Sequence, residues 1–147
     1  MTNNDNPYAD CMCLAARRFT RLITQTYDNA LKESGLKITQ FSVLCALEAA
    51  EQTRAPLSFV ADALDMDPSS LTRSLNTLER GGFIVVGHGE DRRQRFGVLT
   101  AAGSDALAIA KTGWLRAQNL VGDKLGGENF DALKIELESA SKAFRTI

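Results

Sequence analysis

A helix with both ends written into its sequence constrains this chain more than any other feature. Asp67 offers a carboxylate to the first free backbone N–H groups, Pro68 stands where no N–H is needed, and Gly81 and Gly82 stop the run. At about 100° per residue, Leu71, Leu75 and Leu78 share one stripe. Ser69, Arg73, Asn76, Thr77 and Arg80 fall on the opposite face, with Ser70 and Thr72 flanking it. One stripe therefore packs, and the other is short, polar and basic. A face meant only for solvation more often carries Glu and Lys. Small hydroxyls let the backbone approach a groove floor, and an arginine can fork onto a guanine edge.

Past the glycine stop the chain becomes β-branched and aromatic. Residues 83–87 predict a strand, His88, Gly89, Glu90 and Asp91 predict a turn, and Arg92, Arg93, Gln94 and Arg95 lead into a second strand at 96–99. Arginines crowded at the tip of a ribbon suit a narrow minor groove, where negative potential concentrates; the bland alternative is a solvated edge turn. A polar helix followed by a basic hairpin predicts a mainly α fold with a small β-hairpin wing, a winged helix-turn-helix with a helical dimerisation region. Ser69, Ser70, Thr72, Arg73, Asn76, Arg80, Arg92, Arg93 and Arg95 are then the candidate DNA contacts. Upstream, Pro56 breaks the pattern and Leu57-Ser58 begins a short helix over 59–64 with Val60, Ala61 and Leu64 inward. Asp65-Met66 turns from it into the polar helix.

A net charge of −1 does not advertise nucleic-acid binding, but its distribution does. From Glu48 to Asp67 there are five acids against Arg54 alone, whereas Arg73 to Arg95 holds five arginines against Glu79, Glu90 and Asp91. Positive charge thus sits where groove contacts would be. With 147 residues, 44% of them apolar, the chain suits one soluble domain with its own core. The polar, acidic start MTNNDNPYAD is expected to fray, and it has no charged-then-apolar leader; no run approaches a membrane span. A cytoplasmic protein without membrane contact is the expectation, and its three cysteines are then reduced thiols.

Asp67, Ser70, Leu71, Thr72, Arg73, Leu75, Leu78, Glu79, Gly82, Phe83 and Ile84, followed by Asp91-Arg92-Arg93 and Leu99-Thr100-Ala101-Ala102-Gly103, resemble the MarR family of bacterial transcriptional regulators. The likeness extends upstream through Gly35-Leu36, Gln40-Phe41 and LSFVADAL, covering residues 10 to 105 at fixed spacing, and Arg93 matches the family's wing arginine. It implies one domain over 1–147, with a winged helix-turn-helix at 37–99 and dimerisation helices at 9–34 and 101–145. The implied partners are a second copy, an inverted-repeat operator in double-stranded DNA, and an effector that releases a repressor.

The flanking segments carry helical stripes. Residues 9–34 place Met12, Ala15, Phe19, Leu22, Ile23, Tyr27, Ala30 and Leu31 on one face, and Ser34-Gly35 closes the helix. Arg17, Arg18 and Arg21 beside that stripe read as snorkelling or salt-bridged side chains before a phosphate patch. Thr39 is expected to cap a helix over 40–50. Thr100 starts another to about 121 with Leu107, Ala110, Trp114, Ala117 and Val121 in step, and Gly113 there predicts the close approach of a partner helix. A last helix after Gly126-Gly127 aligns Phe130, Leu133, Leu137, Ala140 and Phe144. These stripes exceed what a small winged helix can cover, which points to a homodimer.

No catalytic constellation, cofactor loop or metal spacing is present, so no enzyme, cofactor or metal is expected. His88 reads as a loop residue, and Cys11-Met12-Cys13 is too tight for a zinc hook and lacks a histidine. Cys11 and Cys13 fall on nearly opposite faces of a regular helix, which argues against a disulfide between them. A thiol in the first helical turns with Arg17 one turn on has its thiolate favoured. Cys13 also resembles the peroxide-sensing cysteine of the organic-hydroperoxide branch, and Tyr27 a tyrosine that hydrogen-bonds such a thiol. Arg17 departs from that branch, which has a second tyrosine there. The other reading of Cys13 is an inert half-buried thiol; Cys45, amid Val43, Leu44 and Leu47, reads as core. Two effectors stay open: oxidation at Cys13, or a small aromatic molecule between the dimer helices and the winged part. A winged-helix adaptor that binds protein and not DNA is the alternative from another class.

Overall fold

The computed structural model describes residues 8–50 and 55–145; the expected fraying over 1–7 and the position of Arg54 lie outside the described residues. The element order is α1 (Met12–Ala30), α2 (Ile38–Ala49), β1 (Ala55–Pro56), α3 (Leu57–Leu64), α4 (Pro68–Arg80), β2 (Ile84–His88), β3 (Arg95–Leu99), α5 (Ala101–Leu125) and α6 (Gly127–Arg145). Among the described residues no helix is long and apolar enough to cross a membrane.

The signals read from the centre of the chain are the ones the backbone uses. Asp67 accepts from the Ser70 N–H at 2.9 Å, Pro68 opens α4, and Gly81 ends it. Leu71, Leu75 and Leu78 are buried as one stripe. They join Val43 and Leu44 of α2, Val60 of α3, Ile84 of β2 and Leu107 of α5, so four helices and the sheet share one core. At about 1.5–3 kcal/mol for each large side chain buried, this cluster is the main source of stability in the winged part.

Several expected boundaries shift, each for a local reason. The first helix begins at Met12 and not near residue 9, and it ends at Ala30; a separate 3-10 turn, Lys32–Ser34, comes after it. Ser34 Oγ donates back to the Leu31 carbonyl at 2.6 Å, and Gly35 closes the turn with φ 73°. Thr39 is not the cap of the second helix. Gln40 Oε1 accepts from the Lys37 N–H at 2.8 Å and Asp28 of α1 accepts from the Ile38 N–H at 2.8 Å, so α2 starts two residues earlier. The third helix starts at Leu57, which is buried, and not at 59.

Pro56 does more than break the pattern. It lies in a two-residue strand on the sheet edge, where a missing N–H is tolerated, and the strand order is β1-β3-β2. In the hairpin, β2 and β3 pair antiparallel from Ile84 opposite Leu99 to His88 opposite Arg95. His88 is therefore the last residue of a strand, and Arg95 the first of the next, with the turn over 89–94.

The fifth helix continues to Leu125, beyond the expected end near 121. Thr100 caps it by accepting from the Gly103 N–H at 3.0 Å. A Cβ at Gly103 would overlap the Phe83 carbonyl, and one at Gly113 would overlap the Ala30 carbonyl. The partner expected at Gly113 is thus the end of α1 in the same chain. Neither α1 nor α6 contains a buried residue: Met12, Leu22, Ile135, Leu137 and Phe144 are all exposed.

Candidate nucleic-acid interface

The exposed side of α4 carries the polar face that its periodicity predicts. Ser69, Thr72, Arg73, Asn76 and Arg80 are exposed, while Ser70 is half-buried. Ser70 Oγ donates to Asp67 Oδ2 at 2.6 Å and accepts from the Arg73 guanidinium at 3.3 Å. Arg80 instead lies back along its own helix, with Nε donating to the Asn76 carbonyl at 3.3 Å. Hydrogen bonds from the Ser70 side chain and backbone hold the Asp67 carboxyl below the ordinary carboxylate range, with a smaller contribution from Arg73.

The wing is fixed at its base by three hydrogen bonds, one to α4 and two to the segment just after it. Glu79 accepts from the Val86 N–H at 3.1 Å, and Thr100 Oγ1 donates to the Gly82 carbonyl at 2.6 Å while its N–H reaches the Phe83 carbonyl at 3.0 Å. At the tip, Asp91 accepts from the Arg93 N–H at 2.9 Å and the Arg92 carbonyl lies 3.2 Å from His88 Nδ1. Arg92 and Arg93 are exposed there. Arg95 is set apart from them, half-buried in β3.

Between α4 and the wing lies an open cleft of about 640 Å³, lined by Ser58, Pro68, Thr72, Arg93, Gln94 and Arg95 among others. Its polar residues come from three elements: the start of α3, the exposed side of α4, and the turn and β3 of the wing. A nucleic-acid backbone threaded there would meet hydroxyls on one side and guanidinium groups on the other. Ser58 and Gln94 have no part in the periodicity argument; the Ser at the second position of a helix was the available signal for the first. Gln94, outside the strand it was expected to lead into, carried none.

A second cavity, of about 650 Å³, sits where the winged part meets α5. Phe41 and Trp114 stack on each other along its wall, with centroids 6.3 Å apart at 24°, and Ser42, Cys45, Leu64, Lys111 and Leu115 also line it. Lys111 pairs with Glu48 at 2.5 Å. Cys45 is half-buried on this wall and not sealed in the core; burial pushes its thiol up, Lys111 opposes and Glu48 adds.

The structure does not bring the candidate redox residues together within one chain. Cys11 is the N-cap of α1 and Cys13 its second residue, and both are exposed, as is Arg17 one turn on. Tyr27 lies fourteen residues beyond Cys13 on the same helix, about 21 Å away at 1.5 Å per residue. Its hydroxyl donates to Gln118 Oε1 of α5, and burial pushes the phenol up. Among the described residues no His, Cys, Asp and Glu cluster could hold a metal ion.

The model of the MarR family matches residues 34–94, which run from the 3-10 turn into the wing. A structure of the M. tuberculosis transcriptional regulator MosR in complex with DNA is similar, with a TM-score of 0.83 and 31% identity over 93% of this chain and 98% of that one. A further MosR crystal structure gives a TM-score of 0.80 and 29% identity over 95% and 99%. CouR, a transcriptional repressor bound to a 23-mer DNA duplex, gives 0.76 and 26% over 88% and 92%. No curated protein sequence matches the chain. Since a relative 31% identical aligns along nearly its whole length and the family model spans the helix-turn-helix, the chain belongs to the MarR family.

Proposed function

We propose that this protein is a homodimeric, sequence-specific DNA-binding regulator of transcription, a repressor that an effector releases from an inverted-repeat operator. The observation that carries this reading is the cleft between α4 and the wing, with exposed hydroxyls on one wall and Arg93 and Arg95 on the other. The winged part, 37–99, would read DNA, and the helices within 9–34 and 101–145 would pair two copies in the cytoplasm. No step of this function is catalytic. Arg73, Ser69, Thr72 and Asn76 face the major groove in this reading, Arg92 and Arg93 reach the minor groove, and Arg95 holds backbone phosphate. Arg80, folded onto its helix, is available for a flanking phosphate.

The test is a salt titration on operator fragments selected from genomic DNA. Displacing counterions from several phosphates makes log K fall linearly with log salt, by about 0.9 per phosphate contact. Affinity that is selective and steeply salt-dependent is expected. A winged-helix adaptor would bind no site selectively, and that result overturns the reading.

Two effectors remain distinct. The aromatic-walled cavity at Phe41 and Trp114, with Lys111 at its edge, supports a small aromatic ligand lying between α2, α3 and α5. Oxidation at Cys13 is supported by its exposure at the start of α1 and by Arg17; a contact with Tyr27 would have to cross between protomers. Cumene hydroperoxide added to the protein–operator complex separates them. Release by wild type and Cys11→Ser but not by Cys13→Ser supports the thiol, and retention by all three leaves the cavity ligand as the effector.

A further inference from the structure

One chain of contacts runs from the cap of α4 to its foremost cation. Both oxygens of the Asp67 carboxylate grip Ser70, Oδ1 through the backbone N–H at 2.9 Å and Oδ2 through the hydroxyl at 2.6 Å. The Arg73 guanidinium then donates to the Ser70 oxygen at 3.3 Å. A serine hydroxyl has a single proton, and here Asp67 takes it; the oxygen left as acceptor faces Arg73. Donation to a carboxylate also makes that oxygen a better acceptor, because linked hydrogen bonds polarise one another. Ser70 is half-buried, unlike Ser69, Thr72 and Asn76, so it is the member of the polar face least able to touch a nucleic acid.

We propose that Ser70 is a positioning residue and not a DNA contact: with Asp67 it holds the Arg73 guanidinium over the first turns of α4 and so sets which base pair Arg73 reads. The inference rests on the DNA-reading function proposed above. It concerns the end of the helix that matters, since the N-terminal residues of a recognition helix are those that meet base edges. An arginine free to sample many rotamers would meet several base and phosphate oxygens with similar ease. One held by a hydroxyl that is itself fixed to the cap presents its fork in one direction, and geometry of that kind is what a bidentate guanine contact requires. Arg80 shows the alternative, a long cation resting on its own backbone at the far end of the helix.

The experiment measures preference along a randomised operator half-site, at one salt concentration, for wild type, Ser70→Ala, Arg73→Ala, the double variant and Ser70→Thr. Ser70→Ala keeps the backbone cap, so its melting temperature and dimer are expected to match wild type. Its affinity for the best site is expected to stay within about threefold, while preference at one base pair per half-site drops about tenfold, as for Arg73→Ala. The double variant should discriminate no worse than Arg73→Ala alone, the non-additivity of two residues acting as a unit. Ser70→Thr, which restores a hydroxyl, should restore the preference. Losses that multiply in the double variant, an even fall in affinity across all sites for Ser70→Ala, or unchanged preference in either single variant would each overturn the proposal. A wild type with no site preference overturns the DNA-reading function and this inference with it; a selective wild type matched by Ser70→Ala overturns this inference alone.

Discussion

The winged part and the two terminal helices are built from similar apolar periodicities and end in opposite conditions. Leu44, Leu75, Leu78, Ile84 and Val60 are fully buried within one chain. In α1 and α6 the stripes are covered only in part: Phe19, Ile23, Phe130 and Leu133 are half-buried, while Ile135 is 65% exposed and Phe144 78%. A stripe at 3.6-residue spacing therefore states only that a face wants covering. Whether the cover comes from the same chain or from another copy is a property of topology; within this chain the winged part is covered, while much of the stripes on α1 and α6 is left exposed.

Emptying a core position should break the winged part most severely. Leu75→Ala, at a site 1% exposed, is expected to cost about 2–5 kcal/mol and lower the melting temperature of the whole chain. Ile135→Asp sharpens the contrast from the other side. It should weaken dimer association by at least about tenfold, or 1.4 kcal/mol, in sedimentation experiments, while the fold of the winged part is kept; an unchanged dimer would take α6 out of the interface. Arg93→Ala should touch neither region's stability and lower operator affinity by about 1–3 kcal/mol in a mobility-shift assay. The smallest effect belongs to Asp67. Its depressed folded value means that its contribution to the α4 cap is complete above the ordinary carboxylate value of about 3.9 and is lost as pH falls through the lower folded value. Protection of the Ser70 amide, taken relative to its intrinsic exchange rate at each pH, should fall over that acid range in wild type, and Asp67→Asn should abolish that fall.

How much of this was legible depends on how local the deciding contact is. The bounds of α4 were, because Asp67 and Pro68 act at the very start of the helix and Gly81 immediately after its end. The start of α2 was not, because its second cap is Asp28, ten residues back on another helix. Thr39, the better capping residue by type, lost to that distant carboxylate. β1 escaped notice because two residues containing a proline carry no period, and its only signal is the partner strand. Among the site residues, Ser69, Thr72, Arg73, Asn76, Arg80, Arg92 and Arg93 are exposed as expected, while Ser70 and Arg95 are half-buried. Arg95 departs from the tip group since strand pairing with His88 draws it into the ribbon. The aromatic cavity, assembled from α2, α3 and α5, left no trace in any one segment.

Two glycines on α5 have a mechanical consequence. Gly103 lies against the Phe83 carbonyl at the base of the wing and Gly113 against the Ala30 carbonyl at the end of α1. Sliding α5 by one residue would advance it about 1.5 Å, turn it about 100°, and bring a side chain against each carbonyl. The helix is thus keyed like a shaft in two slots: it can tilt, but it cannot slip along its axis. Motion of the terminal helices that travels along α5 reaches the wing as rotation of a rod about 37 Å long, for which a tilt of about 3° at one end is a displacement of about 2 Å at the other.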